Sequence, residues 1–210
     1  MSEQDLNWKY VGDIVVENDV IASARAHAHE LGVEPISAAV GAQSAVVAAA
    51  TAAEHIVEIG TGTGVSGLWL LRGATNAILT SIDTEVVHQQ HAKNAFSDAG
   101  IAPNRIRLIT GRALDVLPRM NENSYDLVFV DADAASVIEY VEHGLRLARP
   151  GGTVLVPHAL WKGRVADPAQ RDDTTVLFRT LVQEISASDA VVSAVSAVGD
   201  GLLQITKLGV

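Results

Sequence analysis

The 210-residue sequence contains no cysteine and few aromatic residues. The absence of cysteine excludes disulfides, thiolate metal sites and a cysteine nucleophile. Aromatic residues make up 4% of the chain although hydrophobic residues make up 48%. The core must therefore be built mainly from alanine, valine, leucine and isoleucine. The length suits one domain with a sizeable core.

Positive charge is also scarce, with 15 lysines and arginines against 25 aspartates and glutamates, a formal net charge of −10. Nucleic-acid binding needs a basic face, so we expect no nucleic-acid partner. The most apolar stretch, residues 38–53, is alanine-rich and interrupted by Gln43 and Ser44, which argues against a membrane partner. The first five residues lack the basic and apolar regions of a signal peptide, so we expect a cytoplasmic protein.

No linker or repeat divides the sequence, which predicts a single domain over residues 1–210. The first 18 residues are polar, and we expect them to be poorly ordered or bound to a partner. Two helices are predicted next, over residues 17–31 and 37–53, and both should pack on the domain. The second is rich in small residues, which permit close helix packing.

From His55 onward, short apolar runs alternate with helical segments. This alternation predicts a doubly wound α/β fold with a mostly parallel sheet. Near the end, two β-prone runs flank Gly199-Asp200-Gly201 and predict a hairpin, so that the last strand is antiparallel. The predicted strands cover residues 56–59, 77–82, 105–110, 125–130, 153–156, 191–198 and 202–208. The predicted helices between them cover residues 65–71, 85–99, 113–120, 137–148 and 174–186.

A glycine-rich loop, residues 60–64, lies between the first predicted strand and a helix, where open α/β sheets bind ligands. Glycines there let a ligand lie against bare backbone. Residues 62–67 also satisfy the G-x-G-x-x-G dinucleotide pattern, and Asp83 follows at a distance suited to binding a ribose. An NAD-dependent oxidoreductase is therefore one alternative.

Two features favour S-adenosylmethionine over NAD as the ligand. Glu58 occupies the first strand, where a dinucleotide fold usually has an apolar residue. A buried carboxylate needs a partner, and it could anchor loop amides or help to place the amino-acid end of the cofactor. The antiparallel final hairpin is also typical of methyltransferase sheets rather than dehydrogenase sheets.

The sequence resembles the catechol and caffeoyl-CoA O-methyltransferase family along nearly the whole chain. The matching segments are Val57 to Ser66, Ser81-Ile82-Asp83, Gly111-Arg112-Ala113, Tyr125 to Asp133 and Val198-Gly199-Asp200-Gly201. The resemblance implies a Rossmann-like class I methyltransferase fold, with a doubly wound seven-stranded sheet, an antiparallel last strand and two added N-terminal helices. It also implies S-adenosylmethionine as cofactor, a small-molecule acceptor and a homodimer.

Carried over by position, the family's cofactor contacts fall on the glycine loop and the strand ends. Glu58, Gly60, Gly62 and Ser66 would surround the methionine portion, Asp83 would hold the ribose, and Ala113 with Arg112 would border the adenine. Asp131 would lie beside the transferred methyl group. The expected cofactor-binding residues are Glu58, Gly60, Thr61, Gly62, Ser66, Asp83, Thr84, Arg112, Ala113 and Asp131.

The sequence departs from the family at its metal site. Family members hold a divalent cation with the acid that matches Asp131 and an Asp-Asn pair after the fifth strand, but Pro157-His158 replace that pair. The family's lysine after the fourth strand is also missing, because Ala134-Ala135 stand there. A resident metal is therefore doubtful.

Three interpretations of His158 stay open. Asp131, Asp133 and His158 could form a rearranged metal site. Alternatively, His158 could be the general base of a metal-free methyltransferase, with Asp131 and Asp133 as the other catalytic candidates. In the third interpretation it is only a polar residue at a strand end. The missing ligands also leave open an S-adenosylmethionine-binding protein without methyltransferase activity. Two interpretations of Trp161 also stay open: it could line the acceptor pocket, or it could pack on the sheet edge.

Overall fold

A computed structural model describes residues 3–209 and shows eight α-helices and seven strands in that range. Over this range no helix is both long and apolar enough to cross a membrane. The helices are α1 (Glu3–Ile14), α2 (Asp19–Glu30), α3 (Ala38–Ala50), α4 (Val65–Gly73), α5 (Val86–Asp98), α6 (Ala113–Val116), α7 (Val137–Leu147) and α8 (Asp173–Ser186). The strands are β1 (His55–Ile59), β2 (Ile78–Asp83), β3 (Ile106–Thr110), β4 (Tyr125–Val130), β5 (Ala148–Pro157), β6 (Val191–Ser196) and β7 (Leu202–Lys207).

All seven strands form one sheet in the order β3-β2-β1-β4-β5-β7-β6. The pairs from β3 across to β5 are parallel. Strand β7 runs antiparallel to both β5 and β6. The predicted doubly wound, mostly parallel sheet with an antiparallel last strand is therefore confirmed.

Both faces of the sheet are covered, because side chains on successive strand residues point to opposite faces. In β4, Leu127 and Phe129 belong to one apolar cluster, together with residues of α2 to α5. Val128 and Val130 belong to the other, together with residues of α7 and α8. Strand β4 is therefore apolar on both faces from Leu127 to Val130, whereas β1 and β2 also bury the polar residues Glu58, Thr80 and Ser81.

The small residues of α3 allow α3 and α4 to pack closely, as the sequence predicted. A Cβ on Gly73, the last residue of α4, would lie 1.9 Å from the carbonyl oxygen of Ala45 in α3. A Cβ on Gly41 would lie 2.3 Å from the Trp69 ring. Glycine at these two positions is therefore a packing requirement.

The expectation that the first 18 residues are poorly ordered was wrong over residues 3–14, where the structure has helix α1, while the alternative that they bind a partner stays a prediction. Three helices, rather than two, thus precede the sheet. The signal was weak because α1 has no marked apolar stripe and Trp8, Tyr10 and Ile14 remain exposed. Strand β5 is also longer than predicted, because it begins at Ala148 and passes through a register shift opposite residues 125–127 of β4.

Replacing Gly73 by alanine is expected to lower the free energy of unfolding by about 1–3 kcal/mol, because the added methyl group forces α3 and α4 apart. Urea denaturation followed by circular dichroism measures the change. Gly12→Ala is the matched control, since a Cβ on Gly12 in α1 meets no atom within 4 Å. Equal stabilities of the two variants would show that the close contact between α3 and α4 does not constrain residue 73.

Candidate functional site

A cavity of about 370 Å³ opens at the carboxyl ends of β1, β2 and β4. This is the edge where open α/β sheets bind ligands, and the volume falls in the range of small-molecule sites. Most of the expected cofactor-binding residues line it, while Glu58 and Arg112 do not. The expected residues that line the cavity are Gly60, Thr61, Gly62, Ser66, Asp83, Thr84, Ala113 and Asp131.

The glycine loop is held against the ends of two neighbouring strands. Gly60 has φ +94°, and a Cβ there would lie 1.8 Å from the backbone oxygen of Asp131. Its amide donates to the Ile82 carbonyl at 2.8 Å, and the Asp131 amide donates to the Ile59 carbonyl at 2.8 Å. Only glycine fits this close approach. The loop therefore presents bare backbone to the cavity.

Asp83 fixes the loop from the end of β2. Its Oδ2 accepts a hydrogen bond from the Gly62 amide at 2.9 Å, and its Oδ1 accepts one from the Glu85 amide at 2.8 Å. A carboxylate oxygen can accept more than one hydrogen bond. Asp83 therefore keeps acceptor capacity toward the cavity, where ribose hydroxyls would need it.

Glu58 lies beneath the loop and is 0% exposed. It accepts a hydrogen bond from the Ser66 hydroxyl at 2.7 Å and another from the Ser81 hydroxyl at 2.5 Å. Burial raises the pKa of Glu58 to about 7; the two hydroxyls oppose this shift, and Asp131 and Asp83 add to it. Of the two roles open for Glu58, the contacts do not show the anchoring of loop amides, because its partners are side-chain hydroxyls of α4 and β2, while a role in placing the amino-acid end of the cofactor stays a prediction.

A chain of polar side chains continues from Ser81 across the sheet. The Thr61 and Ser81 hydroxyl oxygens are 2.7 Å apart. Because Ser81 donates to Glu58, Thr61 must donate to Ser81. Gln89 of α5 in turn donates to Thr61 at 3.4 Å and accepts from Thr110 of β3 at 2.7 Å. The network joins β1, the glycine loop, β2, α5 and β3.

Asp133 lines the first cavity with Asp131, but its carboxylate is hydrogen-bonded to α7 and the turn before it. Its Oδ1 accepts from the Ser136 amide at 3.1 Å, and its Oδ2 accepts a short hydrogen bond from the Tyr140 hydroxyl. Burial and this hydrogen bond raise the pKa of Tyr140 to about 12.

Arg112, which precedes α6, is exposed, while Ala113 is buried at the cavity wall. Tyr140 also lines the cavity and was not singled out from the sequence.

His158 lies between two carboxylates. Its Nε2 is 3.7 Å from Oδ1 of Asp131, and its Nδ1 is 3.4 Å from Oδ2 of Asp200. Burial raises the pKa of the Asp131 carboxyl; the His158 ring opposes this shift and Glu34 adds to it. His158 itself has φ +59°, a left-handed conformation that costs about 1–3 kcal/mol in non-glycine residues and tends to occur at functional sites.

A second cavity adjoins the first along Glu34, Pro35 and Ile36, which line both, and His158 lines the second. Its walls combine aliphatic side chains with polar and charged ones, and among the described side chains they contain no phenylalanine, tyrosine or tryptophan. Glu34 lines both cavities and pairs with Lys162 at 2.9 Å, and this contact lowers the pKa of Glu34. The second cavity is lined by Glu34, Pro35, Ile36, Ser37, Val40, Pro157, His158, Lys162, Gly199 and Asp200.

The structure brings Asp131 and His158 together but does not add Asp133 to form a metal-binding group. Within residues 3–209, no cluster of three or more histidine, cysteine, aspartate or glutamate side chains is placed to hold a metal ion. Both oxygens of Asp133 accept hydrogen bonds from α7 and its preceding turn. Pro157 offers no side-chain ligand. The donor set therefore does not fit the family's divalent cation.

Trp161 packs against helix α8 and does not line the second cavity. Its ring stacks on Phe178 of α8 with the ring centroids 5.1 Å apart. It contributes to a small cleft of about 30 Å³ behind Asp131 and His158. Of the two interpretations of Trp161, the packing role is the one that the contacts support.

Comparisons with known proteins agree on one family. A family model described as O-methyltransferase matches residues 21–208. A protein of Mycobacteroides abscessus, provisionally named an O-methyltransferase, is 44% identical over 194 residues, which cover 92% of this chain and 90% of that protein.

Two solved structures match over the full length of the chain. A Corynebacterium glutamicum protein has a TM-score of 0.90 and 30% identity, and the match covers 100% of this chain and 99% of that one. The O-methyltransferase TomG of Streptomyces achromogenes, which is involved in tomaymycin synthesis and was solved with S-adenosylmethionine, has a TM-score of 0.83 and 28% identity, with 100% of both chains covered.

The raised pKa of Glu58 predicts a loss of stability as pH rises. Below its unfolded pKa, near 4.5, the carboxyl is protonated in both states. Between 4.5 and about 7 the unfolded chain releases the proton first, so the free energy of unfolding falls, by about 3 kcal/mol in all at pH 8. Glu58→Gln keeps a neutral group there, so the difference between its free energy of unfolding and that of the wild type should shift in favour of the variant by about 3 kcal/mol from pH 5 to pH 8.

Urea denaturation at pH 5 and pH 8 tests this prediction. Glu54→Gln is the control, because Glu54 is exposed, and its stability should follow that of the wild type. If the free energies of unfolding of Glu58→Gln and of the wild type changed equally between pH 5 and pH 8, the assignment of a raised pKa to Glu58 would be contradicted.

Proposed function

Because this chain belongs to the O-methyltransferase family, we infer that it is an S-adenosylmethionine-dependent enzyme that methylates a hydroxyl group of a small molecule. The observation that carries this proposal is the approach of Asp131, which lines the first cavity, to His158, which lines the second, at 3.7 Å, where Glu34, Pro35 and Ile36 line both cavities. The first cavity has the glycine loop and Asp83, which suit an adenosine cofactor. The second offers room for an acceptor beside an imidazole base.

The cofactor cavity fits S-adenosylmethionine in its chemistry. Asp83 would hold the ribose hydroxyls, and the backbone of Gly60 and Gly62 would lie along the methionine portion. Ala113 and Tyr140 would border the adenine. Glu58 lies beneath the glycine loop and would act on the cofactor only through Ser66. Arg112 does not line the cavity and would make no contact with the cofactor.

When bound, S-adenosylmethionine supplies an electrophilic methyl group, whose transfer needs an aligned and deprotonated nucleophile. His158 would provide the deprotonation, because a neutral imidazole is a base near neutral pH. The hydroxyl proton passes to His158 Nε2 as the O–C bond forms. With the methyl group delivered to the acceptor oxygen, the products would be a methyl ether and S-adenosylhomocysteine, and His158 would hold the released proton. No step requires Asp133.

The acceptor is a phenol or a similarly acidic hydroxyl compound. A histidine can deprotonate a phenol, whose pKa is about 10, far more readily than an aliphatic alcohol. Since no metal has to chelate two oxygens, a single hydroxyl suffices. The aliphatic walls formed by Ile36, Val40 and Pro157 suit the faces of a small ring. An NAD-dependent reaction is not proposed, since the family and its relatives are O-methyltransferases.

A homodimer, a cytoplasmic location and the absence of a nucleic-acid partner remain predictions. Exposed apolar side chains on the first and third helices support the homodimer, because such groups often mark interfaces. Light scattering after size-exclusion chromatography measures the mass in solution. The exposed apolar residues in question are Leu6, Trp8, Tyr10, Val11, Ile14 and Val46.

Replacing Asp83 by asparagine is expected to weaken binding of S-adenosylmethionine about 10- to 100-fold, because hydrogen bonds to a charged acceptor contribute about 1.5–3 kcal/mol. Isothermal titration calorimetry measures the dissociation constant. Asp98→Asn, at the exposed end of α5, is the control. An unchanged affinity in Asp83→Asn would remove Asp83 from the cofactor site.

Replacing His158 by asparagine is expected to lower kcat about 100- to 10,000-fold, the usual contribution of a general base, and to leave the affinity for S-adenosylmethionine unchanged. Asparagine tolerates the left-handed backbone of this position. Formation of S-adenosylhomocysteine is measured in EDTA with a panel of monophenols, catechols and acyl-CoA esters.

His55→Asn is the control for this experiment, because His55 is exposed at the start of β1, away from the site. Turnover that EDTA abolishes and magnesium restores would overturn the metal-free mechanism. Tight cofactor binding without transfer to any acceptor would instead favour a binding protein that lacks methyltransferase activity.

A further inference from the structure

The turn between β6 and β7 is attached to the turn that carries His158. The Leu160 amide donates to the Asp200 carbonyl at 3.0 Å, and the Ala159 amide donates to the Gly201 carbonyl at 3.2 Å. Gly201 has φ +86°, and a Cβ there would lie 2.8 Å from the Leu160 nitrogen. Close packing of the two turns therefore fixes the position of Asp200.

The Asp200 side chain connects to both ends of the His158 turn. Its Oδ1 accepts a short hydrogen bond from the Lys162 amide, and its Oδ2 lies 3.4 Å from Nδ1 of His158. His158, Trp161 and Lys162 all have positive φ, at 59°, 45° and 56°. Such residues persist only where surrounding contacts hold them. The Asp200 carboxylate is one of those contacts.

We propose that Asp200 is a positioning residue that holds His158 in the tautomer required of a general base. A neutral imidazole carries one N–H, and an ionised carboxylate can only accept. Asp200 therefore selects the tautomer with hydrogen on Nδ1. The lone pair of Nε2 then faces Asp131, which lines the first cavity. This inference rests on the proposed role of His158.

Other charged groups near the ring do not select a tautomer in this way. Asp131 lies on the Nε2 side at 3.7 Å, beyond hydrogen-bonding distance. Glu34 pairs with Lys162 instead of His158. Among the described residues, Asp200 is the one that forms a hydrogen bond with a ring nitrogen of His158.

Asp200→Asn is the decisive variant. Its amide can still accept from the Lys162 amide while its N–H₂ group donates to Nδ1 of His158, so hydrogen moves to Nε2. We expect kcat to fall about 100-fold or more, because Nε2 then has no lone pair to take a proton. Affinity for S-adenosylmethionine should stay within about twofold, since Asp200 does not line the cofactor cavity.

Nitrogen-15 NMR of the histidine ring measures the tautomer without any turnover, in the complex with S-adenosylhomocysteine. The wild type should show hydrogen on Nδ1 of His158, and Asp200→Asn should show it on Nε2. Asp189→Asn is the matched control, because Asp189 is an exposed aspartate at the other end of the same hairpin. Its tautomer and its kcat should equal those of the wild type.

The double variant His158→Asn/Asp200→Asn separates positioning from general structural support. If Asp200 acts through His158, the double variant should have the same kcat as His158→Asn alone. A further loss of kcat would overturn the proposal, as would a wild-type His158 with hydrogen on Nε2. Hydrogen on Nδ1 in a wild type that transfers no methyl group would support the positioning role and refute the proposed function.

Discussion

The buried carboxylate of Glu58 is the constraint on which the cofactor site depends. A charge without water must be paired or neutralised, and here two serine hydroxyls, from α4 and β2, supply the hydrogen bonds. Thr61 extends the same network into the glycine loop. Position and orientation of the loop are therefore tied to a group that cannot move without leaving buried polar atoms unsatisfied. Within residues 3–209 every buried polar side-chain atom has a partner.

The topology of the sheet explains how the acceptor side is assembled from distant residues. Parallel strands end at one edge, so the loop after β1 and Asp131 after β4 meet there. Because β7 alone is reversed, β6 runs parallel to β5, and the turn after β6 reaches the same edge. That turn carries Asp200 to His158, 42 positions away in sequence. The reversed strand thus contributes a carboxylate to the site.

The sequence predicted the parts of the fold that local patterns encode. Strand β4 was predicted with its observed bounds, and the helices predicted from residues 17 and 37 begin within two residues of the observed starts of α2 and α3. Helix α1 was missed because it lacks an apolar stripe. The glycine loop and Asp83 were identifiable from the sequence, because the spacing of the glycines and the distance to Asp83 themselves indicate a cofactor site.

The partners of these residues were not predictable, because they depend on packing between distant segments. Glu34 and Lys162 pair across 128 positions, and no local motif indicates this contact. The hydroxyl partners of Glu58 also come from two different elements. Asp200 lay in a recognised motif, Val198 to Gly201, yet only the fold shows its contact with His158.

The most direct test of this account is a calorimetric titration of the purified protein with S-adenosylmethionine, first in EDTA and then in magnesium. The account predicts binding at one site per chain, with the same dissociation constant in both solutions, because the cofactor cavity is formed without a metal. Absence of binding in both solutions would contradict the assignment of the cofactor. Binding that requires magnesium would contradict a metal-free site around Asp131 and His158.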